Sequence, residues 1–350
     1  MKKVISILLA LTMVFSLAAC SQDAKTGSET KNESQEISAD EPIVLKIATT
    51  VPDSSPSGAV LHEVFKPEVE KRTNGKVKVE VYNNGVLGGD RQLLEAMQLG
   101  TLEADVAPLS VVANFDPACN ASELPFLFRN KETAYAALDG EFGQMLAKNL
   151  PSKGLRVITY MENSFRNIAT VDKKINSLED MSGVKMRVME SPIYLSMFKS
   201  FGSNPTPMAF SELYTALQQK TVEGHDNGVV LTYTNKLYEP IKYYLRLEQN
   251  YAATAVIVSE QWWQGLPPEI QQAITEASQV ATEWQRAENT KSENELIEEI
   301  KKAGVDVYEV SDEEKAKFKE AAMVVYDEME AVAGKEIIDA AREVDAKYGK

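Results

Sequence analysis

Histidine and cysteine are almost missing from this chain of 350 residues, which has two of each: His62 and His225, Cys20 and Cys119. Neither histidine belongs to a recognisable zinc motif or nucleophile triad. A Walker-type phosphate loop, a Gly-x-Gly-x-x-Gly turn after a strand and a Gly-x-Ser-x-Gly elbow are all lacking. These absences count against an enzyme and leave no cofactor to expect, although the many carboxylates leave a chance acid/base pair open. Positive charge is also in short supply. Lys and Arg number 37 against 52 Asp and Glu, a formal net charge of -15, so nucleic acid and anionic headgroups are poor partners for the body of the protein. Beyond the first twenty residues no apolar run is long enough to cross a membrane.

The N-terminus reads as an address. Lys2 and Lys3 precede a short apolar run from Val4 to Leu17, which ends in Leu17-Ala18-Ala19-Cys20. Small residues before a cysteine at the cleavage point resemble a bacterial lipobox, whose thiol is alkylated by a diacylglycerol before cleavage makes it the new N-terminus. The plainer alternative is a secretory signal with an incidental cysteine. On the first reading, residues 1–19 are a signal peptide and Cys20 anchors the protein to the outer side of a membrane through two acyl chains. Cleavage removes two positive charges and takes the formal charge of -15 to about -17. Residues 20–41 are polar and have almost nothing to bury, so they are expected to form a disordered tether. A lipidated Cys20 leaves Cys119 without a partner in the chain, and Cys119 then serves as a small buried hydrophobe.

From Pro42 onward the composition is globular and long enough for two lobes. Val44–Thr49 reads as a strand, and Pro52–Gly58 as a loop that opens a helix running through Lys71. Lys76–Tyr82 alternates with period two, and Arg91–Leu99 is helical after the Gly-rich turn Asn84–Gly89. This order indicates an α/β sheet. A second run starts after Gly154, with strands at Leu155–Tyr160 and Lys185–Met189, helices at Ser191–Phe201 and Ser211–Gln219, and an extended Asn204–Pro207 between the helices. Pro267 and Pro268 open a helical pattern that meets no breaker until Gly304. Its apolar stripe passes through Ile270, Ile274, Ala277, Val280, Ala281 and Trp284, fades from Arg286 to Asn294, and resumes at Leu296, Ile297 and Ile300. Such a helix packs on two bodies with a polar stretch between them, unless it breaks near Asn289.

The segment Gly183–Tyr244, together with Leu87-Gly88-Gly89-Asp90-Arg91, Leu124-Pro125-Phe126 and the order of elements from Val44 to about Gly304, resembles the solute-binding proteins of tripartite ATP-independent periplasmic (TRAP) transporters, the DctP-like family. The resemblance implies an α/β, two-lobed periplasmic-binding-protein-like fold that closes on its ligand around a hinge, with the long helix bridging both lobes. On that plan lobe I takes residues 42–163 and about 253–290, and lobe II takes 164–252 and about 291–320. The bridging helix spans 267–303, and 305–350 form a helical segment packed on the lobes. The implied partners are a small organic acid and the membrane permease subunits, with the binding protein itself a monomer.

The same resemblance supplies the site. Arg187, in the strand Gly183-Val184-Lys185-Met186-Arg187-Val188, takes the position that grips the substrate carboxylate, where a planar guanidinium can make two parallel charge-assisted hydrogen bonds. Arg166 matches an assisting arginine, with an ion pair to a nearby acid as its alternative. Asn227 falls where the family places a cleft amide, and Gly228 stands where proline is common, so a looser loop is expected there. Phe210 is either an aromatic wall for the substrate or core, and Tyr214, one turn later, is core or cleft. Thr50, Asp90 and Arg91 come from the first lobe, and Asp90 either accepts from substrate hydroxyls or caps the following helix. Glu190 faces the cleft or a neighbouring side chain. Resemblance of Met189-Glu190-Ser191-Pro192 to the sugar-acid branches favours a uronate-like ligand, with a C4-dicarboxylate as the alternative. A surface-anchored enzyme or a ligand sensor acting on an organic acid is the reading from another class.

Overall fold

The computed structural model describes residues 42–349, within a compact unit Pro42–Lys350. Cys20, the expected signal segment and the tether lie outside the described residues. Nine strands form one mixed sheet: β1 (Ile43–Ala48), β2 (Val77–Tyr82), β3 (Ala104–Pro108), β4 (Leu155–Thr170), β5 (Lys185–Val188), β6 (Asn204–Pro207), β7 (Gly224–Asn227), β8 (Tyr243–Ser259) and β9 (Asp306–Tyr308). Their spatial order is β2-β1-β3-β8-β4-β7-β5-β6, with β9 added in parallel to the start of β8.

The two central strands organise everything else. β4 has 16 residues and β8 has 17, and they pair antiparallel from Leu155↔Ser259 to Thr170↔Tyr243. The end of β8 carries β3 and, beyond it, β1 and β2, while the end of β4 carries β7, β5 and β6. Each long strand therefore belongs to both halves of the sheet. Apart from a register shift between Val157 and Thr159, their ladder is interrupted twice around Arg166, between Glu162 and Phe165 and again between Arg166 and Ile168. At the first interruption Ser164 takes a positive φ of 70°, and at the second Glu248 takes 54°. Bulges of this kind bend a strand and redirect its side chains, and Arg166 lies between the two.

Helices cover both faces of the β1-β2-β3 half. On one side, the segment helical from Pro56 to Arg72, with a π turn at Leu61–Phe65, packs with the first half of the long helix. On the other side, helix Asp90–Gln98 joins the largest core through Leu93, Leu94 and Met97. The long helix runs unbroken from Pro268 to Lys302, 35 residues, so no break occurs at Asn289. Ile270, Ile274, Ala277 and Ala281 bury against β1, β2, β3 and β8. Leu296, Ile297 and Ile300 pack instead with Ala169, Ile241, Tyr244 and Val305. Val280, expected in the stripe, is exposed because it points off the packed face.

The polar stretch between the two apolar stripes is mostly exposed or half-buried, but Asn289 within it and Gln285 just before it are buried. Gln285 is fully enclosed: its Nε2 donates to the Glu162 carbonyl at 2.8 Å and to Ser57 Oγ at 3.0 Å, and its Oε1 accepts from the Glu162 N–H at 3.1 Å. One amide side chain thus stands in for the strand partner that β4 loses at its bulge. The chain from β9 onward passes through helices Asp312–Ala322 and Val324–Ala333, and Tyr326 donates to the Pro125 carbonyl at 3.0 Å. No helix among the described residues is long and apolar enough to cross a membrane.

Candidate functional site

Where the two halves of the sheet meet, side chains from both enclose a small cavity. Thr49, Thr50, Ser57, Asp90, Val106 and Pro108 come from the β1-β3 half, and Met189, Phe210, Asn227 and Leu231 from the other, with Asn163 and Arg166 from β4 itself. Apolar walls with a few fixed polar groups are the usual make-up of a small-molecule site. Five of the nine sequence-derived candidates line it: Thr50, Asp90, Arg166, Phe210 and Asn227.

Arg166 is fully buried and already neutralised. Its Nε donates to Asp226 Oδ2 at 2.6 Å, a second nitrogen donates to the Asp226 carbonyl, and its guanidinium carbon lies 5.1 Å from the centre of the Tyr194 ring. Burial opposes the charge, but Asp226 more than compensates and holds the guanidinium pKa above its ordinary value. The ion pair named as an alternative is therefore present, and Nη1 is still left without a hydrogen-bond partner.

Arg187 sits beside the cavity, behind Phe210, with its guanidinium 5.8 Å from the centre of that ring. It is 2% exposed, and its Nε and Nη2 both donate to the Met208 carbonyl, at 3.0 and 2.7 Å. Nη1 has no partner, and among the described residues no carboxylate forms an ion pair with it. Burial, reinforced by the nearby Arg166 charge, lowers its pKa to about 10, so it still carries its charge at neutral pH.

Asn227 reaches the cavity from β7, where its Nδ2 lies 3.2 Å from His225 Nδ1. Burial and the two arginines depress the His225 pKa to about 3, so the ring is neutral and its Nδ1 accepts the amide proton. Gly228, next in the chain, does not loosen the loop. A Cβ there would come within 3.1 Å of Ser164 Cβ and 3.2 Å of the Asn163 carbonyl, so the glycine permits close approach of the loop to the β4 bulge.

Asp90 is the first residue of helix Asp90–Gln98, one position earlier than expected, and Gly89 rather than Asp90 precedes the helix as its cap. Its Oδ1 accepts from Thr50 Oγ1 at 2.8 Å. Burial raises its pKa to about 6 against the opposing effects of Thr50 and Arg187. The Glu190 carboxylate acts on Asp90 and Arg187 electrostatically, while its backbone carbonyl accepts from Asn114 Nδ2 at 2.7 Å.

Two candidates point elsewhere. Arg91 is exposed on its helix and pairs with Glu95 at 3.0 Å, because it follows Asp90 by about 100° around the helix. Tyr214 packs beside Leu213, Ala216 and Leu217, and its hydroxyl donates to Glu239 at 2.5 Å.

Sequence reasoning missed the support behind Arg166. Tyr194 donates to Glu123 Oε2 at 2.7 Å, Asn250 Nδ2 donates to Tyr194 Oη at 2.8 Å and to the same carboxylate at 3.2 Å, and Gln249 Nε2 reaches Asp226 at 3.5 Å. Asp226 had a readable signal, an acid next to the cleft amide on a strand whose side chains alternate. Glu123 and Asn250 had none. Cys119 is buried, and its sulfur lies 3.6 Å from the Leu146 carbonyl.

Among the described residues no cluster of metal-ligating side chains occurs. Residues 47–332 match the family described as bacterial extracellular solute-binding protein, family 7 (DctP). The C4-dicarboxylate-binding periplasmic protein DctP of Rhodobacter capsulatus is 32% identical over 312 residues, covering 88% of this chain and 92% of the relative. The solved sugar acid binding protein DctPAm of Advenella mimigardefordensis strain DPN7T, in complex with galactonate, superposes with a TM-score of 0.85 at 33% identity, covering 88% of this chain and 99% of that one. A TRAP solute-binding protein of Sulfurospirillum deleyianum with bound succinate gives 0.82 at 29% identity, covering 87% and 99%. The chain belongs to the DctP family of extracytoplasmic solute-binding proteins, the two-lobed binding subunits of TRAP transporters.

Proposed function

We propose that this subunit captures a hydroxylated monocarboxylate, a sugar acid of the uronate or aldonate kind, and delivers it to its membrane permease. The observation that carries the reading is the unpaired guanidinium of Arg187. Asp226, Asp90 and Glu190 act on it from a distance, but none of them pairs with it among the described residues, and its hydrogen bonds go only to a carbonyl; a substrate carboxylate supplies the direct partner that a buried ion needs, with Arg166 Nη1 alongside. The rest of the lining favours hydroxyls. Asp90 and Thr50 form one polar pair and Asn227 offers a fixed amide, while among the described residues Arg166 is the one cation in the lining. A C4-dicarboxylate is the second reading, supported by the R. capsulatus relative and by the succinate-bound neighbour.

Binding rather than catalysis accords with the family. Closure takes place where β4, β8 and the long helix pass from one half of the sheet to the other, with lobe I at residues 42–163 and about 253–290. The lipobox-like Leu17–Cys20 supports tethering through Cys20, which keeps the protein at high effective concentration beside its permease.

A thermal-shift screen followed by calorimetry tests the reading. Hexuronates and aldonates are expected to stabilise the protein. Arg187→Ala is expected to weaken their binding by roughly two to three orders of magnitude, because it strands the ligand carboxylate. Stabilisation by succinate, malate or fumarate alone would overturn the ligand class. Unchanged affinity in folded Arg187→Ala would remove the site, and turnover of the acid seen by mass spectrometry would replace binding with catalysis.

A further inference from the structure

A second, smaller space adjoins the cavity and shares Ser57, Asn163 and Leu231 with it. None of Arg166, Asn227, Asp90 and Phe210 lines it; its own walls include Asn289, Gly228 and Glu162. Asn289 comes from the long helix and is 4% exposed, and its Nδ2 has no hydrogen-bond partner. An amide donor that is buried and unpaired carries a desolvation cost until something accepts from it. Ser57 is fixed in a complementary way: its Oγ accepts from Gln285 Nε2 at 3.0 Å, which leaves the hydroxyl proton free to donate.

We propose that this space is a second subsite which takes the hydroxylated tail of the bound acid, with Asn289 Nδ2 donating to a hydroxyl oxygen. The inference rests on the sugar-acid reading above and gives it a chain-length rule: four-carbon acids are held at the carboxylate end only, and six-carbon acids reach Asn289.

Charge around the subsite selects a hydroxyl over a second carboxylate. Glu162 is fully buried in its wall, and Lys131 Nζ lies 2.7 Å from Glu162 and 2.6 Å from Glu293. One ammonium between two carboxylates leaves a net negative charge beside the space, and a second carboxylate entering there meets like charge in a poorly solvated site. A hydroxyl brings no charge, can accept from Asn289 and can donate onward. Leu231, Val230 and Pro56 supply apolar contact for the carbon chain.

Calorimetry on the full protein with D-galactonate, six carbons, and D-erythronate, four carbons, tests the proposal. Asn289→Leu keeps the side-chain size and removes the donor. It is expected to weaken galactonate binding roughly ten-fold and to leave erythronate binding within about two-fold. Asn289→Ala, a smaller change with the same expected ratio, serves if the leucine variant fails to fold. Equal losses for both acids, or no loss for galactonate, would overturn the subsite and leave the ligand class standing. A wild-type protein that binds succinate and neither aldonate removes the ligand class and the subsite with it.

Discussion

Arg166 and Arg187 show how one residue type acquires two roles from its surroundings. Both are buried and each keeps one unpaired nitrogen, but Arg166 pairs with Asp226 at 2.6 Å while Arg187 donates only to the Met208 carbonyl. Arg166 can orient an anion without needing one, whereas Arg187 needs one. Behind Arg166, burial lifts the Glu123 carboxyl to about pH 7, opposed by the Tyr194 hydroxyl and by Arg166. Because its folded pKa exceeds its unfolded value, the folded state holds the extra proton between about pH 4.5 and 7, and stability contributed by this group falls as pH rises through that window. Glu123→Gln is therefore expected to flatten the fall in melting temperature between those pH values, and an unchanged slope would count against the assignment. The arginines and Asn227 were legible in the sequence through the family resemblance, whose motifs align with their positions. Glu123 and Asn250 were not, because their partners lie up to 127 positions away in the chain.

At the scale of elements, the long helix and the paired strands β4 and β8 meet at Gln285. Its amide closes both backbone groups of Glu162 at the bulge. Gln285→Leu leaves a buried N–H and a buried carbonyl unpaired, and is expected to cost about 2–3 kcal/mol in urea unfolding. A loss below about 0.5 kcal/mol would mean that the bulge finds other partners. The first strands, the helix after Pro267 and its two apolar stripes followed from periodicity in the sequence. β8 escaped that reading. Both its faces are covered from Leu247 to Ser259, apart from brief partial exposure, so its pattern is a nearly continuous apolar and polar mixture without alternation.

For the whole molecule, the formal charge of -15 opposes an organic anion approaching from afar. Salt shortens the range of that repulsion from about 30 Å at 0.01 M to about 8 Å at 0.15 M. Association of a sugar acid, followed by stopped-flow tryptophan fluorescence, is expected to quicken a few-fold over that range. A rate that falls with added salt would show that the arginines steer ligand at long range and would overturn this view of the field. Recognition then depends on contact, which requires both halves of the sheet to be in place around the ligand.

Sequence by itself determined the class of the molecule, through the alternating strands and the helical pattern after Pro267, with the family resemblance singling out Arg187. The strand and helix patterns are local, set by the periods at which a helix or a strand presents side chains to a core. Only the tertiary structure decided which arginine is neutralised, that Arg91 and Tyr214 turn away, that Gly228 packs tightly, and that Asn289 reaches a cavity. The ion pair of Arg166, the packing of Gly228 and the reach of Asn289 depend on segments distant in the chain meeting at β4, and on the burial that makes an unpaired charge or amide costly enough to require a ligand.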